Sequence, residues 1–135
     1  MVYSLSHAIM FIMIQDYYFA VPSSYPQNFM ATASNSRSVT FSWDPPPPDQ
    51  QNGIITQYFI NITIANSGET FQESTAERSL NINTLQPFTT YLCVIAASTS
   101  AGTGPYSTVV TLTTPQDGML LIALSLGHGL PEFQC

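Results

Sequence analysis

The residue types that could do chemistry are few and poorly placed for it. Cys93 and Cys135 are the two thiols, His7 and His128 the two imidazoles, and lysine is absent. Nucleophilic catalysis needs a thiol or hydroxyl beside a base. General acid–base catalysis needs a tuned group within reach of the proton it moves. Between residues 22 and 115 there is no His and no Lys, so Cys93 has no base to activate it. It reads as a small buried hydrophobe. Structural zinc takes four Cys or His ligands, and this stretch offers one. Asp44, Asp49, Glu69, Glu73 and Glu77 lack the spacing of a calcium loop. Gly102-Thr103-Gly104 is not followed by the helix pattern of a phosphate loop. No catalytic, cofactor-binding or metal site is expected. One modification signal remains, the N-glycosylation sequon Asn61-Ile62-Thr63. With 15 Ser and 15 Thr the chain yields such a triplet by chance, so its position says more than its presence. Asn61 alternates with Ile60 and Ile62 and should face solvent, where it could carry a glycan.

Composition bounds the elements that must position these residues. The chain has 135 residues, about one domain. Arg37 and Arg78 face eight carboxylates, for a net charge of −6. That argues against a nucleic-acid binder, which replaces condensed counterions with Lys and Arg, and against docking on anionic lipid through a basic patch. Only 7% of residues are charged, but 44% are hydrophobic, so the composition of a disordered chain does not fit. Thr and aromatics favour strands, and the ten Pro and seven Gly favour turns. The expectation is a single all-β domain. Two cysteines do not make a disulfide framework.

The chain divides into three parts. Residues 1–21 contain the apolar run Ala8–Ile14 (AIMFIMI), which is too short to span a bilayer and nearer a signal-peptide core. The segment is read as a signal or anchor remnant, although no Lys or Arg precedes the run. An upstream piece of a larger chain and a structured segment are the alternatives. Residues 22–115 carry the regular pattern. Residues 116–135 form an apolar extension around Met119–Leu126 (MLLIALSL), also too short to span a bilayer.

Within 22–115 the strand signals are short and evenly spaced. Phe29–Ala33 is the first candidate. Val39, Phe41 and Trp43 then alternate with Thr40 and Ser42, a period-2 pattern. Pro45–Pro48 stop that strand, because proline cannot donate to a ladder. Asn52-Gly53 marks a turn, and Ile55–Ala65 follows, with Tyr58, Ile60, Ile62 and Ile64 on one face. Thr70–Ser74 is a weak edge strand. Leu80 and Ile82, then Tyr91–Ala97, then Thr108–Thr113 complete seven strands, with Ala101–Pro105 as a loop. Seven short strands with turns between them suggest a β-sandwich.

These motifs, in this order, resemble the fibronectin type III family over roughly residues 22–115. Pro26-Gln27-Asn28-Phe29 is similar to its opening strand. Val39-Thr40-Phe41-Ser42-Trp43-Asp44-Pro45-Pro46 resembles strand B with its core tryptophan. Asn52–Tyr58 resembles the turn and tyrosine of strand C. Leu85-Gln86-Pro87-Phe88-Thr89-Thr90-Tyr91 is similar to the corner before strand F, and Ala101–Ser107 to the F–G loop. The resemblance implies a Greek-key, immunoglobulin-like sandwich with sheets A-B-E and C′-C-F-G. It implies a structural core containing Trp43, Tyr58, Leu85, Tyr91 and Cys93. Residues 102–104 lack an Arg-Gly-Asp sequence, and no Trp-Ser-x-Trp-Ser precedes the last strand.

The expected function is non-catalytic: a recognition or adhesion module, extracellular or at the cell surface, from a larger receptor- or adhesion-type protein. A structural spacer and an accessory domain of a larger enzyme, such as a receptor phosphatase, are the alternatives. The expected partner is a protein or a neighbouring domain, with no cofactor, metal or nucleic acid. Membrane contact would come only from missing flanks or the N-terminal segment. Parity gives the working surface. Phe59, Leu92, Val94, Ala96 and Val109 should point outward from one sheet beside Asn61 and form an apolar contact patch. The outward positions of the other sheet, Thr40, Ser42, Asn81 and Asn83, are polar and should be wet.

Overall fold

A computed structural model describes residues 20–117. Readings on His7, His128, Cys135 and the two apolar tails lie outside these residues. The described chain forms strands β1 (Gln27–Asn35), β2 (Ser38–Asp44), β3 (Gln57–Ile64), β4 (Thr70–Thr75), β5 (Ser79–Ile82), β6 (Thr90–Thr99), β7 (Gly102–Thr103) and β8 (Val110–Thr113). A short 3₁₀ turn, Pro48–Gln50, lies between β2 and β3.

The strands make two antiparallel sheets. One has the order β1-β2-β5. In the other, β4-β3-β6, both β7 and β8 pair with β6. The chain changes sheet after β2, β4 and β5, which gives the Greek-key sandwich implied by the resemblance. β2 ends at Asp44 because the four prolines that follow supply no donors. Gly68, at φ +78, lets the β3–β4 turn close with its N–H donating to the Ile64 carbonyl at 2.8 Å.

Eight strands replace the expected seven. β6 runs on to Thr99 and Gly102, at φ +143, turns the chain straight back as β7. The last strand begins at Val110 rather than Thr108. There the Ile95 N–H is taken by the Ser107 hydroxyl at 3.1 Å, while the Ser107 N–H donates to the Ile95 carbonyl at 2.8 Å. A side chain standing in for a backbone acceptor interrupts the ladder before β8 starts.

The core lies between the sheets. Val39, Phe41, Ile60, Cys93 and Ile95 are completely buried in it. Phe29 stacks on Phe41 at 5.5 Å and meets Trp43 edge-on at 6.3 Å, and Trp43 meets Tyr58 edge-on at 5.4 Å. Offset and edge geometries like these suit the ring quadrupoles. Trp43, Tyr58, Leu85, Tyr91 and Cys93 all belong to this cluster, none more than 4% exposed. The Trp43 Nε1–H is buried and meets no acceptor, so its place rests on packing.

Candidate contact face

The outward side of the β4-β3-β6-β8 sheet is built row by row from strand register. Thr70, Thr63, Leu92 and Thr111 make one row. Gln72, Asn61 and Val94 make the next. Ser74, Phe59 and Ala96 make the third. Each residue's neighbours two positions along its own strand point the same way. The Thr63 and Thr70 hydroxyls bond each other at 2.7 Å, and so do those of Thr90 and Thr113 at 2.9 Å. One end of the face is therefore a hydroxyl array and the middle is apolar.

Exposure divides the expected patch. Val109 is 56% exposed and Leu92 36%. Phe59 and Val94 are half-buried. Ala96 is completely buried, so it is corrected out of the contact surface. It sits opposite Phe59 in the ladder, and a single methyl group among larger neighbours does not reach solvent. Asn61 is half-buried, and its Oδ1 accepts a hydrogen bond from Gln72 Nε2 at 2.7 Å.

The opposite sheet presents Thr40, Ser42, Asn81 and Asn83, all exposed, with Asn81 Nδ2 donating to Thr40 Oγ1 at 2.9 Å. Met30, 56% exposed on β1, adds one apolar side chain that the parity reading of that face did not include. The two most exposed large apolar residues lie off both faces. Ile54 is 79% exposed in the β2–β3 loop. Phe88 is 70% exposed before β6, at φ +51. A β-strand period says nothing about loop residues, so neither was legible from alternation.

No chemistry competes with a binding role among the described residues. No three His, Cys, Asp or Glu side chains gather as metal ligands. A cavity of about 360 Å³ beside Tyr58 and Ile54 has Arg78 as its one charged lining residue and contains no acid–base pair. Burial pushes the Cys93 thiol up to about 12. Such a group stays protonated and is a poor nucleophile. Burial also raises Tyr58, and Arg78 partly offsets that. The one salt bridge among the described residues, Arg37 to Asp117 at 3.3 Å, is open to solvent.

A two-sheet Greek-key sandwich with the orders β1-β2-β5 and β4-β3-β6-β8 defines an immunoglobulin-like β-module. The chain belongs to the fibronectin type III family, whose domain description matches residues 24–113. It is 38% identical over 87 residues to receptor-type tyrosine-protein phosphatase F of Bos taurus, covering 64% of this chain and 5% of that protein. It is 44% identical over 90 residues to Roundabout homolog 2 of Homo sapiens, covering 62% of this chain and 6% of that one. The crystal structure of the FN5 domain of Drosophila Lar is similar with a TM-score of 0.57 and 33% identity, covering 70% of this chain and 98% of that one. The third fibronectin III domain of human KIAA0343 shares the fold, with a TM-score of 0.65 and 21% identity over 74% of this chain and 88% of that one. The chain spans about 5% of the length of the curated relatives it matches.

Proposed function

We propose that this domain is an extracellular or cell-surface recognition unit of a larger receptor- or adhesion-type protein. The observation that carries the reading is the apolar character of the outward side of β3 and β6, where Leu92 is exposed and Phe59 and Val94 are half-buried, with exposed Val109 just ahead of β8. Contiguous apolar side chains with a polar surround favour protein contact. The chain's net charge of −6 makes a neutral or basic protein surface the better partner. The small share of each relative that the chain covers fits one module among others. An accessory domain of a receptor-type phosphatase is the second reading, favoured by the 38% identity to receptor-type tyrosine-protein phosphatase F.

The test uses the purified chain, tetramerised through a biotin tag, as a stain for unpermeabilised cells. Wild type stains a subset of cell types. Leu92→Lys and Val109→Lys lose the staining and keep the thermal unfolding transition. Absence of staining by wild type, or staining unchanged in both variants, overturns the contact role.

A further inference from the structure

We infer that the β3 side of this face is a bed for an N-linked glycan on Asn61, whose first sugar packs on Phe59 and Val94. The inference rests on the extracellular reading above and narrows it. The face is divided between a sugar at β3 and a protein contact at Leu92 and Val109.

The placement follows from register. Phe59, Asn61 and Thr63 are two apart on β3, so all three point outward with about 7 Å between successive side chains. Asn61 is therefore flanked along its strand by an aromatic ring and a hydroxyl. Across the ladder it has Gln72 on one side and Val94 on the other. Gln72 Nε2 holds the Asn61 Oδ1 at 2.7 Å on the β4 side. With Oδ1 held on the β4 side, the planar amide leaves Nδ2, the atom a glycan is attached to, free of that bond. Phe59 and Val94 are half-buried, so each keeps some surface that a sugar can cover. An N-acetylglucosamine ring presents C–H groups on one face, which suit the negative face of an aromatic ring. Once β3 has formed, the strand holds the ring beside the attachment atom, so packing the sugar on it costs little further ordering.

The attachment is a glycosyl transfer with no redox change. Asn61 Nδ2 bonds to the anomeric carbon of an oligosaccharide carried on a polyisoprenyl pyrophosphate. The carbon–oxygen bond to pyrophosphate breaks and its electron pair leaves with the phosphate. The amide gives up one proton. β3 is paired to β4 and β6 on its two edges, so its backbone is held straight once folded. Transfer therefore precedes folding. Among the seven asparagines only Asn61 heads a sequon, so any N-glycan on the chain reports on this site.

The test secretes the full chain from mammalian cells behind an added cleavable leader. The expected product carries one N-glycan, absent from Asn61→Gln. The glycosylated chain melts about 4 °C or more above Asn61→Gln, and protons of the first sugar are shifted upfield by the Phe59 ring in NMR spectra. Phe59→Thr keeps the glycan and loses both the ring shift and most of the melting difference. Val94→Thr, which leaves the ring in place, loses part of the melting difference and keeps the ring shift. A folded, secreted chain without glycan overturns the inference, as does a glycan whose stabilisation survives Phe59→Thr. Because the leader forces secretion, either failure leaves the receptor reading to its own staining test.

Discussion

Tyr91 shows how one polar atom on an aromatic ring ties a corner together. Its ring is 1% exposed, and its hydroxyl accepts the Gln86 N–H at 2.9 Å. Tyr91→Phe keeps the packing and frees that donor. Gln86 itself is exposed, so water can reach the freed N–H, and the expected loss is about 0.5–1.5 kcal/mol in the free energy of denaturant unfolding, the net worth of one hydrogen bond. Cys93 gives the pH dependence. Its thiol shifts from 9.0 to about 12 because burial disfavours the thiolate. The folded state therefore holds the proton more tightly than the unfolded state. The stability this confers is complete below pH 9 and declines as pH rises from 9 toward 12. Tyr58, raised by burial, acts in the same direction. Denaturant midpoints should fall across that range, and Cys93→Ala should flatten the fall. A thiol reagent at neutral pH should leave Cys93 untouched until the chain unfolds. Prompt labelling of the native domain would contradict the burial.

Among the elements, alternation was legible wherever a strand has one wet face. Val39, Phe41 and Trp43 are buried between exposed Thr40 and Ser42, so both the strand and its inward face could be read from β2 alone. The order of strands within the sheets could not be read that way. It came through the family resemblance, because pairing between distant segments leaves no local signal. The contact face was legible in direction and not in depth. Ala96 has outward parity and no exposure, since periodicity carries no information on neighbour size. β7 was missed because two residues are too few to show a period. β4 carries the prediction at this scale. Among the described residues it is a sheet edge, paired to β3 alone in unbroken register, without Pro, Lys or a bulge. Such an edge can template pairing with another chain. Its one charge, Glu73, lies opposite core residue Ile60 and so is on the inward side. A second strand arriving at that edge would have to bury the carboxylate. Glu73→Thr should add concentration-dependent association beyond that of the wild-type chain in sedimentation velocity, with the fold retained. A variant that associates no more than wild type at the same concentrations would show that something other than Glu73 guards the edge.

At the scale of the whole molecule, the chain entering the domain is clamped between two loops of one pole. The Thr99 hydroxyl donates to the Ala20 carbonyl at 2.7 Å, Asn52 Nδ2 to the Val21 carbonyl at 3.0 Å, and the Ser23 N–H to the Gln50 carbonyl at 2.9 Å. Pro22 is fully buried between these contacts. Gly104 is what allows the close approach, since a Cβ there would lie 2.6 Å from the Pro22 carbonyl oxygen. Residues 20–23 precede the stretch that defines the family match, 24–113, yet they hold the β2–β3 loop against the β6–β8 region. Removing residues 1–23 should therefore lower stability by roughly 3–5 kcal/mol, three hydrogen bonds at about 1 kcal/mol each plus about 1–2 kcal/mol for the buried proline. Gly104→Ala should cost about 1–3 kcal/mol in the full chain, as overpacking does. In the fragment 24–135 the obstacle is gone and the same substitution should cost almost nothing. The coupling between the two changes isolates the Pro22 contact from any general effect of alanine in the loop. An equal penalty in both backgrounds would mean that the entering chain does not rest on Gly104, and that the pole is held by the loops alone.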